Sequence, residues 1–183
     1  MWYFVALANP GKEYELTRHN VGAFVLKKIM NMSECDAEEI GNYMYNVMID
    51  GKHCCFMFSA SFMNLSGEYV KKAQKNLKFK PEQLVVIHDD QDVSLGEVKL
   101  QFNRGAAGHN GITSIANALG TQDFGRLRIG IERVSGAAMA DHVLGKFSDD
   151  ELKTLEKATQ TAFNYIKNLL KYGKDGALSR QGK

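Results

Sequence analysis

Two rhythms of hydrophobic positions run along the chain: short apolar or alternating segments, and longer stretches at helical spacing. Tyr3 to Ala8 is a continuous apolar run closed by Asn9-Pro10-Gly11, which predicts a buried strand ending in a turn. Val21, Phe24, Val25, Leu26 and Ile29 then repeat at helical spacing behind Asn20, a capping residue. Tyr43 to Ile49 alternates, and Asp50-Gly51 offers a hairpin turn into Cys54 to Ala60. A short helix is expected from about Leu65 to Leu77, with Lys71, Lys72 and Lys75 outside. Leu84 to Ile87 predicts a second buried strand, with His88-Asp89-Asp90 at its end. Glu97 to Phe102 and Leu127 to Glu132 alternate, and between them Asn110 to Leu119 predicts a helix closed by Gly120.

The last element carries the strongest signal. Ser148-Asp149-Asp150-Glu151 is a capping box, followed by Leu152, Leu155, Ala162, Phe163, Ile166, Leu169 and Leu170 and stopped by Gly173. Acids at its start and Lys167 and Lys171 at its end agree with the helix dipole. Its apolar stripe is too wide for a coiled-coil seam, so it is expected to pack on a sheet within a monomer. Strands alternating with helices, with no linker or repeat, predict one α/β domain: a mixed, mostly parallel twisted sheet with helices on both faces. The domain is expected over residues 1–173, with a polar, frayed tail over 174–183.

Composition removes several function classes. At 44% hydrophobic and 24% charged, the 183 residues fit a soluble globular protein. Tyr3 to Ala8 is far shorter than the roughly 20 apolar residues a bilayer span needs, and the first residues lack a basic, signal-like region. Cys35, Cys54 and Cys55 form no Cys-x-x-Cys pair and fit a reducing compartment, so a cytoplasmic protein is expected. The five histidines show no metal-ligand spacing. A net charge of +2 leaves nucleic acid open as a partner, because clustered basic residues bind it whatever the total.

Polar residues gather directly after the predicted strands: Asn9, Asn64 and Asp89. If those strands are parallel, their ends share one sheet edge, where open α/β folds bind ligands. Thr17-Arg18-His19-Asn20 and Gly108-His109-Asn110-Gly111 lead into helices beside them. The set offers a base in His19, a carboxylate to orient it in Asp89, and amide donors in Asn9, Asn64 and Asn110. Each residue also has a plain structural reading. Asn9 is a turn former, Asn20, Asn64 and Asn110 are possible N-caps, and Asp89 is a possible structural carboxylate. Ser66 lacks the Gly-x-Ser-x-Gly setting of a hydrolase nucleophile, and no phosphate-cradling glycine motif is present. The run Asp89-Asp90-Gln91-Asp92 reads as a solvated loop more readily than as a divalent-cation site.

These residues carry a family resemblance. Asn9-Pro10-Gly11-Lys12-Glu13-Tyr14, Thr17 to Gly22, Phe62 to Gly67, His88-Asp89-Asp90, Gly108-His109-Asn110-Gly111 and Arg126 to Ile131 occur in the order and spacing of bacterial-type peptidyl-tRNA hydrolase. The resemblance spans residue 4 to about 147. It implies a monomeric, cofactor-free and metal-free α/β enzyme that cleaves the ester between a peptide and the 3′ end of tRNA. By the same resemblance His19 is the general base and Asp89 its partner. Asn9, Asn64 and Asn110 hold the peptide and the reacting ester, Tyr14 supports the site, and His109 shapes the tRNA side. Arg128, with Lys99 and Arg104, is the expected phosphate contact. The chain departs from the family pattern at Ala6-Leu7-Ala8, at Ala106 and Ala107, at Gln91, and at Gln101, where many relatives carry a lysine facing the tRNA 5′ phosphate. An RNA-associated scaffold on the same fold is the alternative reading, and a purine-phosphorylase-like enzyme has no motif to support it.

Overall fold

The computed structural model describes residues 1–32, 34–59, 61–133 and 139–181. Among these, seven strands form one sheet in the order β2-β3-β4-β1-β5-β7-β6. The strands are β1 (Trp2–Ala6), β2 (Cys35–Gly41), β3 (Met44–Ile49), β4 (Lys52–Phe58), β5 (Leu84–Asp90), β6 (Val98–Phe102) and β7 (Gly125–Gly130). The centre is parallel: β1 pairs with β4 and with β5, and β5 pairs with β7. The β2-β3-β4 meander and the β6-β7 pair are antiparallel. The mixed sheet expected from the sequence is present, with its parallel part confined to the middle.

Alternation along the strands builds two cores. Phe4 and Ala6 of β1 face α1 (Val21–Met30) and α5 (Asp149–Leu178), where Leu155, Ala158, Ala162, Phe163, Ile166 and Leu169 are buried. Tyr3, Val5 and Leu7 face the other way, toward Val70 and Ala73 of α2 (Ser66–Leu77) and Ile112 and Ile115 of α3 (Asn110–Leu119). Cys54 and Cys55 separate in the same manner, one into each core. Burying each large side chain of this kind contributes about 1.5–3 kcal/mol. The apolar stripe of α5 is thus spent on its own sheet.

Several boundaries differ from expectation for physical reasons. Strand β2 reads Cys-Asp-Ala-Glu-Glu-Ile-Gly and is largely exposed. It has no buried face to impose a pattern, and its acids protect an open sheet edge. β5 runs three residues beyond Ile87, because His88, Asp89 and Asp90 stay paired with β7 despite their polarity. β7 starts two residues earlier than Leu127, as Gly125 and Arg126 are buried inside the ladder. A short helix, α4 (Met139–Leu144), has no buried residue and left no periodic signal.

The tail beyond Gly173 is the clearest correction. Gly173 leaves helical geometry at φ 69°, yet the chain resumes the helix to Leu178. Ala177 is fully buried, and Gln181 Nε2 donates to the Leu100 carbonyl of β6 at 2.7 Å. Glycine therefore kinks the helix, and docking on the sheet continues past it instead of fraying. No helix among the described residues is long and apolar enough to cross a membrane.

Candidate active site

The C-terminal ends of β1 and β5 meet the starts of α1, α2 and α3 at one sheet edge. Gly22 sets the first approach. A Cβ there would collide with the Ile87 carbonyl, so only glycine lets α1 close on β5 and bring His19 beside Asp89. The loop before α1 is also anchored from outside. Arg18 pairs with Glu151 at 2.7 Å, and Glu151 in turn closes the capping box of α5 by accepting from the Ser148 amide. Gly111 plays a matching part at α3, where a Cβ would meet Met63 Sδ at 2.6 Å and Leu7 at 2.7 Å.

The hydrogen bonds fix the tautomers of two histidines. His109 is the N-cap of α3, and its Nδ1 accepts from the amides of Gly111 (3.1 Å) and Ile112 (3.3 Å). Its proton therefore sits on Nε2 and is donated to Asp89 Oδ1 at 2.9 Å. Asp89 Oδ1 also accepts from His19 Nδ1 at 2.9 Å, which leaves His19 Nε2 with a free lone pair. Burial opposes ionisation of Asp89. The two imidazoles outweigh it, and hold the carboxyl far below the usual carboxylate range. His88 packs edge-to-face on His109 at 4.8 Å and donates from Nδ1 to the Asp89 carbonyl at 2.7 Å. Burial, reinforced by His109, pushes it down to about 3, so it stays neutral beneath the sheet edge.

Around this chain of side chains lies a cavity of about 650 Å³, lined by Asn9, His19, Asn64, Asp89, His109 and Asn110 among others. Asn9 is held firmly. Its backbone amide donates to Asn20 Oδ1 at 2.8 Å, its carbonyl accepts from Asn20 Nδ2 at 2.9 Å, and its Oδ1 accepts from the Met63 amide at 2.8 Å. Those bonds leave the Asn9 side-chain NH₂ for a ligand. Asn20 thus ties two loops together instead of capping α1, and His109 takes the capping role expected of Asn110. Asn64 and Asn110 are exposed within the cavity wall. Tyr14 does not line the cavity; its backbone closes the turn by accepting from Thr17. Ser66 is fully buried and donates to the Met63 carbonyl, which removes it as a nucleophile. Burial pushes the Cys55 thiol up to about 11, so that thiol is inert as well.

The ligand atoms of His19, Asp89 and His109 lie within 4.8 Å of one another, close enough to prompt the question of a metal. The donor set does not suit one. His109 Nδ1 is committed as an acceptor to two amides, so the ring's only proton is on the nitrogen that would have to bind the ion.

A family model described as peptidyl-tRNA hydrolase matches residues 3–182. The chain belongs to that family. It is 34% identical over 182 residues to the peptidyl-tRNA hydrolase of Caldanaerobacter subterraneus subsp. tengcongensis, covering 98% of each chain. The enzyme of Geobacillus kaustophilus is 38% identical over 175 residues, covering 93% of this chain and 94% of that one. Among solved structures, peptidyl-tRNA hydrolase from Acinetobacter baumannii superposes with a TM-score of 0.88 at 28% identity, over 98% of this chain and 93% of that chain. Membership makes this chain a hydrolase of the peptidyl-tRNA ester bond.

The cations that the peptidyl-tRNA hydrolase resemblance singled out do not line the cavity: Lys99 lies on β6, Arg128 on β7, and Arg104 in the segment between β6 and α3. Lys99 is exposed, with Glu97 at 3.9 Å. Arg128 is not a solvated strand residue: it is 4% exposed, bonded from Nε to Asp90 at 2.6 Å and from Nη1 to Gln101 at 2.8 Å. Gln101 serves as an acceptor for Arg128, and a lysine there would set a second cation against it. Sequence reasoning passed over Arg126. It is 1% exposed and stacked on Phe124 at 4.5 Å, and its three guanidinium nitrogens have no hydrogen-bond partner among the described residues. Burial, then Arg104 and Arg128, pull its pKa down to about 10, which still leaves it charged. Also missed were the apolar walls Phe62, Met139, Val143 and Leu144, of which only Phe62 lay in a quoted motif.

Proposed function

We propose that His19 activates the water that hydrolyses the ester between a peptidyl group and the 3′ end of tRNA, with no metal and no covalent intermediate. The observation that carries this reading is the free Nε2 lone pair of His19, aimed at the cavity while Nδ1 donates to Asp89. Water loses a proton to Nε2 as its oxygen bonds the ester carbon. Asp89 holds the imidazole in the required tautomer and stabilises the imidazolium that forms. The charge growing on the carbonyl oxygen is met by side-chain amides, for which Asn9 NH₂ is best placed; losing such a donor costs about 100- to 1000-fold in related chemistry. The carbon–oxygen bond to the tRNA then breaks, and the proton on His19 passes to the departing 3′ oxygen. The products are a peptide carboxylate and tRNA with a free 3′ hydroxyl.

Asn64 and Asn110 flank the peptide side of the cavity, and His109 braces Asp89 from the α3 side. Lys99 and Arg104 contact tRNA phosphate, and Arg128, buried against Asp90 and Gln101, sets positive charge beneath them. The enzyme works as a cytoplasmic monomer, in keeping with an α5 whose stripe is already buried and with cysteines that are all free. Hydrolysis of N-acyl-aminoacyl-tRNA tests the reading. Wild type should turn the substrate over, and His19→Ala should lose about a thousandfold in kcat while binding tRNA normally. A His19→Ala variant with near-normal turnover would overturn it, and an inert wild type would favour the RNA-scaffold alternative.

A further inference from the structure

Helix α2 begins beside the cavity, directly after Met63 and Asn64, and leads away from it. Its inner face is spent on α3: Val70 and Ala73 are buried, and Gly67 donates its amide to Ser114. Its outer face is basic. From Lys71 to Lys80, five of ten residues are lysine, all exposed, and no acid occurs between Glu68 and Glu82.

At a rise of about 1.5 Å per residue, Lys71 and Lys75 lie about 6 Å apart along the axis with Lys72 alongside, and Lys78 follows as the left-handed C-cap of the helix. The row ends about 18 Å from Ser66. None of Lys71, Lys72, Lys75, Lys78 or Lys80 has a carboxylate within 4.0 Å among the described residues. Lys27, Lys28, Lys99, Lys153 and Lys174 do have one.

Helix energetics do not account for this pattern. The dipole favours cations only in the last turn, which explains Lys75 but not Lys71 or Lys72. Like charges at positions 71/75 and 72/75 repel, by about 0.2–0.5 kcal/mol for each pair. An uncompensated cationic row on a helix that begins at the rim of an ester-hydrolysing cavity matches a regularly spaced polyanion.

We propose that the outer face of α2 is a second contact surface for the phosphate backbone of the tRNA body, engaged while the acyl end occupies the cavity. This rests on the function proposed above. The surface adds affinity and salt dependence and leaves the chemical step alone.

The test is the triple variant K71Q/K72Q/K75Q, assayed on full N-acyl-aminoacyl-tRNA and on the same acyl group carried by a short 3′-terminal oligonucleotide. Each phosphate contact removed should lower the slope of log(kcat/KM) against log salt by about 0.7–0.9. Two or more lost contacts should therefore reduce it by about 1.5–2.5 on the full substrate, raise KM about tenfold at low salt, and leave kcat unchanged. The short substrate should be hydrolysed as by wild type, which also shows that the variant is folded, and K71R/K72R/K75R should restore the slope. An unchanged slope and KM on full tRNA would overturn the proposal. Gel-shift titration of deacylated tRNA across the same salt range reads the surface without catalysis. An inert wild type would therefore refute the catalytic reading alone, while equal gel-shift slopes for wild type and triple variant would refute this one alone.

Discussion

Asp89 and Asp90 are neighbours in sequence at the end of β5, yet strand alternation sends them to different surroundings. Asp89 Oδ1 accepts from two imidazoles, those of His19 and His109, so in the function proposed above its charge stabilises an imidazolium at His19. Asp90 receives Arg128, a permanent cation, in a buried bond of 2.6 Å. Arg128 also donates to Gln101, and Arg126, two residues earlier on β7, has no hydrogen-bond partner among the described residues. One carboxylate meets groups able to exchange a proton; the other meets a fixed cation near the sheet's outer edge. Strand alternation thus sets the same residue type in two kinds of surroundings.

The comparison breaks most easily at its catalytic side. Asp89→Asn keeps the size of the side chain but removes the charge, and turnover should fall by 100-fold or more with tRNA affinity retained, as single-turnover kinetics would reveal. Asp90→Asn should act in the opposite sense: stability drops by about 3 kcal/mol because Arg128 loses its buried counter-charge, while kcat stays within a few fold. Denaturant titration alongside the kinetics distinguishes the two carboxylates.

Arg126→Met removes a buried, unpartnered cation while keeping an apolar side chain over Phe124. Stability should rise by about 1 kcal/mol or more, seen as a higher denaturation midpoint. A further effect, read in the pH dependence of stability, is expected at His88. Its pKa is lowered in the folded state, so it contributes stability that is fully present above the unfolded value near 6.5 and is lost as pH falls toward about 3. Asp89 adds its own loss only below its unfolded value near 3.9. Between pH 6.5 and 4, therefore, His88→Gln should flatten the decline of stability that wild type displays.

Much of this could be read from the sequence where a pattern is imposed by burial. The strands expected over Tyr3 to Ala8 and Leu84 to Ile87, observed as Trp2–Ala6 and Leu84–Asp90, the α3 boundaries at Asn110 and Leu119, and the capping box at Ser148 emerge because apolar periodicity and end signals agree there. Strand β2 was invisible because an exposed edge strand has no apolar face. The tail was misjudged because Gly173 is both a stop signal and, here, a kink followed by the buried Ala177. At the site, the convergence of His19 and Asp89 followed from parallel strand ends, whereas His109, expected on the tRNA side, bonds Asp89. The tautomers did not, since they depend on amides of Gly111 and Ile112 reaching His109 Nδ1. Arg126 was legible as part of a motif, but its missing partners are a property of packing.

The proposed mechanism requires that His19 carry its proton on Nδ1 and present a bare Nε2 to the cavity. Heteronuclear NMR of ¹⁵N-labelled histidine side chains at neutral pH reads this directly. The account predicts a protonated Nδ1 and unprotonated Nε2 at His19, the reverse tautomer at His109, and loss of the His19 preference in Asp89→Asn. A His19 ring protonated on Nε2, or one whose tautomer is indifferent to Asp89→Asn, would contradict it.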